Sequence, residues 1–218
     1  MKTAPRAILF DWDNTLVDGW AAIEAGLNAA FREFGLPLWD RAQVLANVRR
    51  ALRESFPELF GADWERARDI FYAEVRACHL QVLTPMPGAA AALQAGAGRL
   101  PMGVVSNKQG PLLRAEALHL GWDRHFGPLI GAGDAVADKP SPAPILMALQ
   151  SLGLSPAPDI WYVGDTALDM QAARAAGLRA VLMGDAAHDG GIASAGADQM
   201  FTNCHELAVS LSSLVKPD

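Results

Sequence analysis

The apolar positions open as an unbroken run, Ala7-Ile8-Leu9-Phe10, which predicts a buried strand. From Gly19 to about Gln81 the period becomes helical. AAIEAGLNAAFREFG (21–35) sets Ile23, Leu27, Ala30 and Phe34 at helical spacing and stops at Gly35, a residue suited to the position just past a helix. RAQVLANVRRALRESF (41–56) and DWERARDIFYAEVRACHLQVL (63–83) predict two further amphipathic helices. No β-rich run interrupts them, so the stretch reads as an all-helical insertion.

Beyond Thr84-Pro85-Met86-Pro87-Gly88 strands and helices alternate. MGVVS (102–106), GPLIGAG (127–133), DIWYVGD (159–165) and LRAVLMG (178–184) predict strands. GPLLRAEALHLG (110–121), SPAPILMALQSLG (141–153), ALDMQAARAAG (167–177) and NCHELAVSLSSLV (203–215) predict helices, the second with prolines suited to its first turn. This alternation argues for an α/β fold: a Rossmann-like three-layer α/β/α core with a central parallel sheet, interrupted by the helical insertion. The Gly/Ala-rich GDAAHDGGIASAGAD (184–198) reads as a mobile loop.

Composition narrows the partners. With 218 residues, 51% of them hydrophobic, the chain can bury the core of one domain, or of one domain with an insertion. Eighteen basic against 24 acidic residues give a net charge of −6 and a pI near 5.3, which argues against nucleic acid as a partner. A small phosphorylated metabolite stays compatible, because a local cation site can override global charge. Cys78 and Cys204 have no metal-ligand spacing and read as reduced, buried thiols. In MKTAPRAILFDWD acids follow the short apolar run at once, unlike a secretory or spanning segment. The expectation is a soluble cytoplasmic protein with no membrane partner, a monomer or a homodimer.

Parallel α/β sheets bind ligands at the carboxyl ends of their strands. The first strand runs into Asp11 and Asp13; were it to continue, both would point to one side, two like charges in close company. Ser106-Asn107-Lys108 follows the second strand, Asp165 ends DIWYVGD with Asp169 four residues on, and Asp138-Lys139-Pro140 lies in a loop. Gathered on one rim, Asp11, Asp13 and Asp165 would form a dense negative cluster whose simplest relief is a hard divalent cation, and Mg²⁺ suits a few carboxylates with a phosphate and water. Such an ion would hold a phosphoryl group before an attacking carboxylate, with the hydroxyls of Ser106 and Thr15 and the ammonium of Lys139 on the phosphoryl oxygens.

DWDNT (11–15), SN (106–107), KP (139–140) and GDTALD (164–169) resemble, in order, the four motifs of the haloacid dehalogenase-like superfamily. Each motif is weak alone; four in order, each at a strand end or the expected loop, are specific. The resemblance covers nearly the whole chain and implies a catalytic core of residues 1–17 and 85–218 with a small helical cap at 18–84. It implies that Asp11 is the nucleophile that forms an aspartyl-phosphate, and that Asp13 is general acid to the leaving oxygen and then base to water. It implies Mg²⁺ held by Asp11, the backbone carbonyl of Asp13 and Asp165, with Asp169 in support through water or a neighbouring ligand. Thr15, Ser106 and Lys139 would bind the phosphoryl group, with Asn107 ordering the loops beside it. Asn14 stands where many relatives carry glycine, and the superfamily also uses this variant. An acid at position 13 favours phosphate esters over organohalides, because a departing halide needs no proton.

The phrases SNK (106–108), TPMPG (84–88) and KPSPAP (139–144) further resemble phosphoglycolate phosphatase-like members. The implied activity is Mg²⁺-dependent hydrolysis of a small phosphate monoester, phosphoglycolate-like or a sugar phosphate. A sugar phosphomutase of the same fold and a non-enzymatic phospho-accepting module stay open beside it. Asp169 also reads as a first-turn helix acid. Trp20, Arg49 and Arg53 are candidates for substrate specificity, against packing for the tryptophan and a solvated basic face for the arginines. The histidines at 79, 119, 125, 188 and 205 have no ligand spacing and read as surface or core residues.

Overall fold

Four consecutive apolar residues without exposed surface put β1 (Ala7–Phe10) in the middle of a sheet rather than at its edge. In the computed structural model, which describes residues 4–48 and 52–214, the chain divides into two compact units, residues 1–17 with 85–218 and residues 18–84. The chain crosses between them through β2 (Val17–Asp18) and β3 (Thr84–Pro85).

The larger unit follows an α/β alternation. Its strands are β1, β4 (Met102–Gln109), β5 (Leu129–Ala132), β6 (Ile160–Gly164), β7 (Arg179–Met183) and β8 (Gln199–Phe201). Its helices are α5 (Ala89–Gly96), α6 (Gly110–His119), α7 (Ala143–Ser151), α8 (Ala167–Ala175), α9 (Ile192–Ala195) and α10 (Cys204–Leu214). The six strands are parallel, in the order β5-β4-β1-β6-β7-β8. Leu9 of β1 is level with Gly103 on one side and Tyr162 on the other. The chain order therefore reverses around β1, which makes the carboxyl ends of β4, β1 and β6 the crevice where such sheets bind ligands.

Strand alternation divides the core between two layers. Ala7, Leu9, Val105 and Tyr162 pack with Ile145, Ala148 and Leu149 of α7 and Met170, Ala172 and Ala173 of α8. Phe10 and Trp161 face away from that layer, against Phe126 and Phe201. β8 was not foreseen, since three residues at a sheet edge leave no readable period. The stretch expected to be a mobile loop (184–198) holds a turn at Ala187–Asp189 and the short α9, whose Ala195 is buried in the core.

The smaller unit is helical: α1 (Trp20–Glu33), α2 (Arg41–Asn47), α3 (Leu52–Phe60) and α4 (Trp64–Val82). The segment expected as one helix over 41–56 departs from helical angles at Val48 (φ −87°, ψ 76°), where α2 ends. The stripe on α1 is also rotated from the expected one: Ala22, Gly26, Leu27, Ala30 and Phe31 are buried, whereas Ile23 and Phe34 are half-buried. Gly26 explains the rotation. A Cβ there would lie 2.7 Å from a ring carbon of Phe71, so α1 and α4 meet on the glycine. Cys78 is half-buried and Cys204 buried, both as free thiols.

Backbone meets backbone where β5 passes the start of α6. A Cβ on Gly131 would lie 2.4 Å from Cα of Gly110, and neither atom can rotate away. Gly131→Ala is therefore expected to lower stability by about 2 kcal/mol or more, measured by urea unfolding. A loss below about 0.5 kcal/mol would mean that this approach is not a constraint on the fold.

Candidate active site

The ladder that aligns β1 with β6 extends one residue past the strand, because the Asp11 N–H donates to the Val163 carbonyl at 2.8 Å. Asp11 is thereby fixed at the sheet rim beside Asp165, which follows β6. Lys139 reaches the same point from the loop after β5. Its ammonium donates to Asp11 Oδ1 at 2.7 Å, Asp169 Oδ1 at 2.6 Å and Tyr162 Oη at 2.9 Å, so all three N–H groups are used. Tyr162 donates its own proton to the Val105 carbonyl at 2.7 Å, which leaves its oxygen to accept from the lysine. Asn107 holds the lysine's backbone: its amide accepts from Lys139 N and donates to Lys139 O, both at 3.0 Å. The side chain of Asn107 is thus committed to the neighbouring loop.

Asp169 serves two structures at once. Its Oδ2 accepts from the N–H and hydroxyl of Thr166, at 3.0 and 2.7 Å, in a capping box that opens α8. Its Oδ1 is turned to Lys139. This packing requires Gly164, where a Cβ would lie 2.4 Å from Asp169 Cγ. Thr15 donates to Asp165 Oδ1 at 3.3 Å and is held from below by the Cys204 thiol on its carbonyl. Asn14 takes the left-handed φ of 60° that starts this turn, a conformation asparagine tolerates better than most residues.

Asp13 does not extend the strand. β1 stops at Phe10, and the Asp13 carboxylate meets Lys108 Nζ at 2.7 Å. The same ammonium donates to both oxygens of Glu116, at 2.8 and 2.7 Å. Ser106 is buried within β4, which runs on to Gln109 rather than ending at Ser106 as expected, and its hydroxyl accepts from the Lys108 N–H at 3.2 Å.

A family model described as haloacid dehalogenase-like hydrolase matches residues 8–183. A phosphoglycolate phosphatase of Chromobacterium violaceum is 32% identical over 82% of this chain and 85% of its own length. Another, of Pectobacterium atrosepticum, is 34% identical over 83% of this chain and 81% of its own. A solved haloacid dehalogenase-like family hydrolase of Streptococcus pneumoniae superposes with a TM-score of 0.84 at 22% identity, over 94% of this chain and 98% of that one. The chain belongs to the haloacid dehalogenase-like hydrolases.

In this haloacid dehalogenase-like hydrolase one carboxylate oxygen from each of Asp11, Asp165 and Asp169 lies within 4.8 Å of the others. Asp165 Oδ2 is buried and accepts no well-aligned hydrogen bond, with His188 Nε2 at ion-pair distance, 3.2 Å. An all-oxygen cluster with a buried acceptor left over fits a hard divalent cation. The Asp13 carboxylate is not among the three, which leaves its backbone carbonyl as the group it could offer.

Burial pushes Asp11 up to about 7; Lys139 opposes this, while Asp169 and Asp165 add to it. Burial also disfavours the charge on Lys139, but Asp11 and Asp169 outweigh it and hold the ammonium well above its ordinary range. The two shifts look opposed for one ion pair. Burial dominates at Asp11, whereas at Lys139 the nearby carboxylates outweigh it. Asp165 is raised by burial, against a lowering contact from His188. His188 is raised by that same contact, against burial.

Lys108 was singled out beside Ser106 and Asn107 but given no role, and Glu116 and His188 were not expected in the site. Lys108 follows the SN motif directly, but Glu116 sits eight residues on across a strand-to-helix turn and His188 in a Gly/Ala-rich stretch, and no spacing rule joins those two to the motifs. Trp20 opens α1 in the smaller unit, its backbone N–H donating to Asp18 Oδ1 at 2.9 Å. Arg49 and Arg50 lie outside the described residues, and of Arg53 only its place in α3 is described.

In metal-free protein Asp11 keeps its proton in the fold up to about pH 7, yet loses it near 3.8 when unfolded. Its contribution to stability is therefore present below the lower value and lost as pH rises toward the higher one. Asp11→Asn cannot ionise, so its stability relative to wild type should grow between pH 5 and 8 by on the order of 2 kcal/mol. Urea melts in EDTA at the two pH values measure this, and an unchanged difference would count against a buried, proton-retaining Asp11.

Proposed function

We propose that this protein is a Mg²⁺-dependent phosphatase that hydrolyses a small phosphate monoester through an aspartyl-phosphate on Asp11. The observation that carries the reading is the division of two carboxylates one residue apart between two lysines: Asp11 is held by Lys139 and Asp13 by Lys108, each at 2.7 Å. A nucleophile and a proton carrier need separate environments, and this arrangement provides them. The family membership and the cluster of Asp11, Asp165 and Asp169 support it further.

In the first half-reaction an Asp11 oxygen attacks phosphorus, the ester P–O bond breaks, and Asp13 gives its proton to the departing alkoxide. In the second, Asp13 takes a proton from water as the water attacks phosphorus and the bond to Asp11 breaks. Lys139, Ser106 and Thr15 hold the phosphoryl oxygens as charge moves between them. Mg²⁺, held by Asp11, Asp165, Asp169 and the Asp13 carbonyl, would offset negative charge and orient the phosphoryl group. Asn107 acts through the Lys139 backbone. Residues 18–84 would be the helical cap, with Trp20, Arg49 and Arg53 as candidates for contact with the rest of the substrate. Phosphoglycolate is the first ester to test, since the relatives that share about a third of the sequence carry that name.

Purified protein with Mg²⁺ should release phosphate from small esters, phosphoglycolate among the best, and EDTA should stop it reversibly. Asp11→Asn should lose at least about a thousandfold in kcat with the fold intact. Asp13→Asn should lose on the order of a hundredfold or more. Conversion of a sugar phosphate without free phosphate would make the protein a mutase, and one phosphorylation without turnover an acceptor module. Phosphatase activity retained in Asp11→Asn would remove the nucleophile assignment.

A further inference from the structure

Glu116 is a carboxylate with no exposed surface, an arrangement that costs several kcal/mol unless its charge is paired and its oxygens bonded. It has both. Lys108 donates to its two oxygens at 2.8 and 2.7 Å, and the Trp12 indole N–H donates to Oε2 at 2.7 Å. The third N–H of Lys108 goes to Asp13 Oδ1 at 2.7 Å, which completes the ammonium's valence. Trp12 is the residue between Asp11 and Asp13, and its ring is packed edge-on against Trp122 and Phe126 at 6.0 and 6.4 Å. One buried carboxylate on α6 thus holds both the backbone segment that carries the two aspartates and, through one ammonium, the side chain of the second.

A buried ammonium needs an acceptor for each of its N–H groups, and a backbone carbonyl or a water would satisfy the third. Here the third acceptor is the Asp13 carboxylate, which keeps 25% of its side chain exposed. We propose that Glu116 is a positioning residue for Asp13, acting through Lys108, so that the carboxyl stands where the leaving oxygen departs. This rests on the role of Asp13 proposed above.

The test compares kcat/KM, which covers the steps through loss of the alcohol, for an alkyl phosphate and for 4-nitrophenyl phosphate, whose phenolate leaves without a proton. Glu116→Gln keeps the shape and an oxygen for Trp12 but turns a carboxamide toward the lysine. It should lower kcat/KM for the alkyl ester by about 10- to 100-fold and for the aryl ester by less than about threefold. Lys108→Met should show the same pattern, and the double variant should be no worse than Lys108→Met alone. Equal losses on both esters, additive losses, or an unchanged alkyl value in folded Glu116→Gln would overturn the inference. Where Glu116→Gln does not fold, the double variant, which removes both charges, carries the same comparison of esters. A wild type that hydrolyses neither ester removes the proposed function and this inference with it. Wild-type activity that Asp11→Asn abolishes, with no change of ester ratio in Glu116→Gln, removes this inference alone.

Discussion

The Lys139 ammonium, 3% exposed, is the charge around which the larger unit is arranged. Asp11, Asp165 and Asp169 would repel one another and resist ionisation if they shared this rim with no cation. With Lys139 among them two negative charges remain, the deficit that a divalent ion matches. The lysine belongs to neither β1 nor β6, and it reaches the rim from a loop. Its position therefore depends on contacts elsewhere: Asn107 on its backbone, Tyr162 behind its ammonium, and the capping box that turns Asp169 toward it. Each of these groups uses its polar atoms inside the fold, which is what a buried ammonium requires.

That dependence also accounts for features of the backbone. Gly164 is set by Asp169, which folds back where any Cβ would be. Tyr162 takes the α7 and α8 side of the sheet, and its hydroxyl reaches both Val105 O and Lys139. An aromatic residue in a strand normally earns its place by apolar area alone. Here the phenol also has a polar end that needs partners when buried, and it finds them at the rim.

The elements most legible in the sequence were those whose surroundings are uniform. β1, β6 and the Met102–Ser106 part of β4 are buried, so their apolar runs announced them, and Asp11 and Asp165 followed from the strand ends, whereas β4 runs on past Ser106 to Gln109. Less legible was anything decided by a tertiary contact. The face of α1 is chosen by Gly26 against Phe71, not by its largest apolar residues. The period over 41–56 runs on in sequence although the chain leaves helical angles at Val48. Glu116 resembles any polar residue on an amphipathic helix until Lys108 and Trp12 converge on it. His188 carries no periodic signal at all, and only the turn at Ala187–Asp189 brings it to Asp165.

Two acids one residue apart pose a physical problem that a strand alone would make worse. Strand geometry would aim both carboxylates at one point, where each would raise the other's pKa and neither could be assigned a separate task. Ending β1 at Phe10 removes that constraint. Trp12 is drawn aside toward Trp122 and Glu116, and the turn that begins at Asn14 lets Asp13 diverge to its own lysine. Asp11 is left deep in the sheet rim, with 9% of its side chain exposed, and Asp13 nearer to solvent, with 25%. In the reaction proposed above, the group that attacks is best kept dry and fixed, and the group that moves protons needs access to water. Loss of strand geometry after Phe10 is what would allow two positions separated only by Trp12 to meet both requirements.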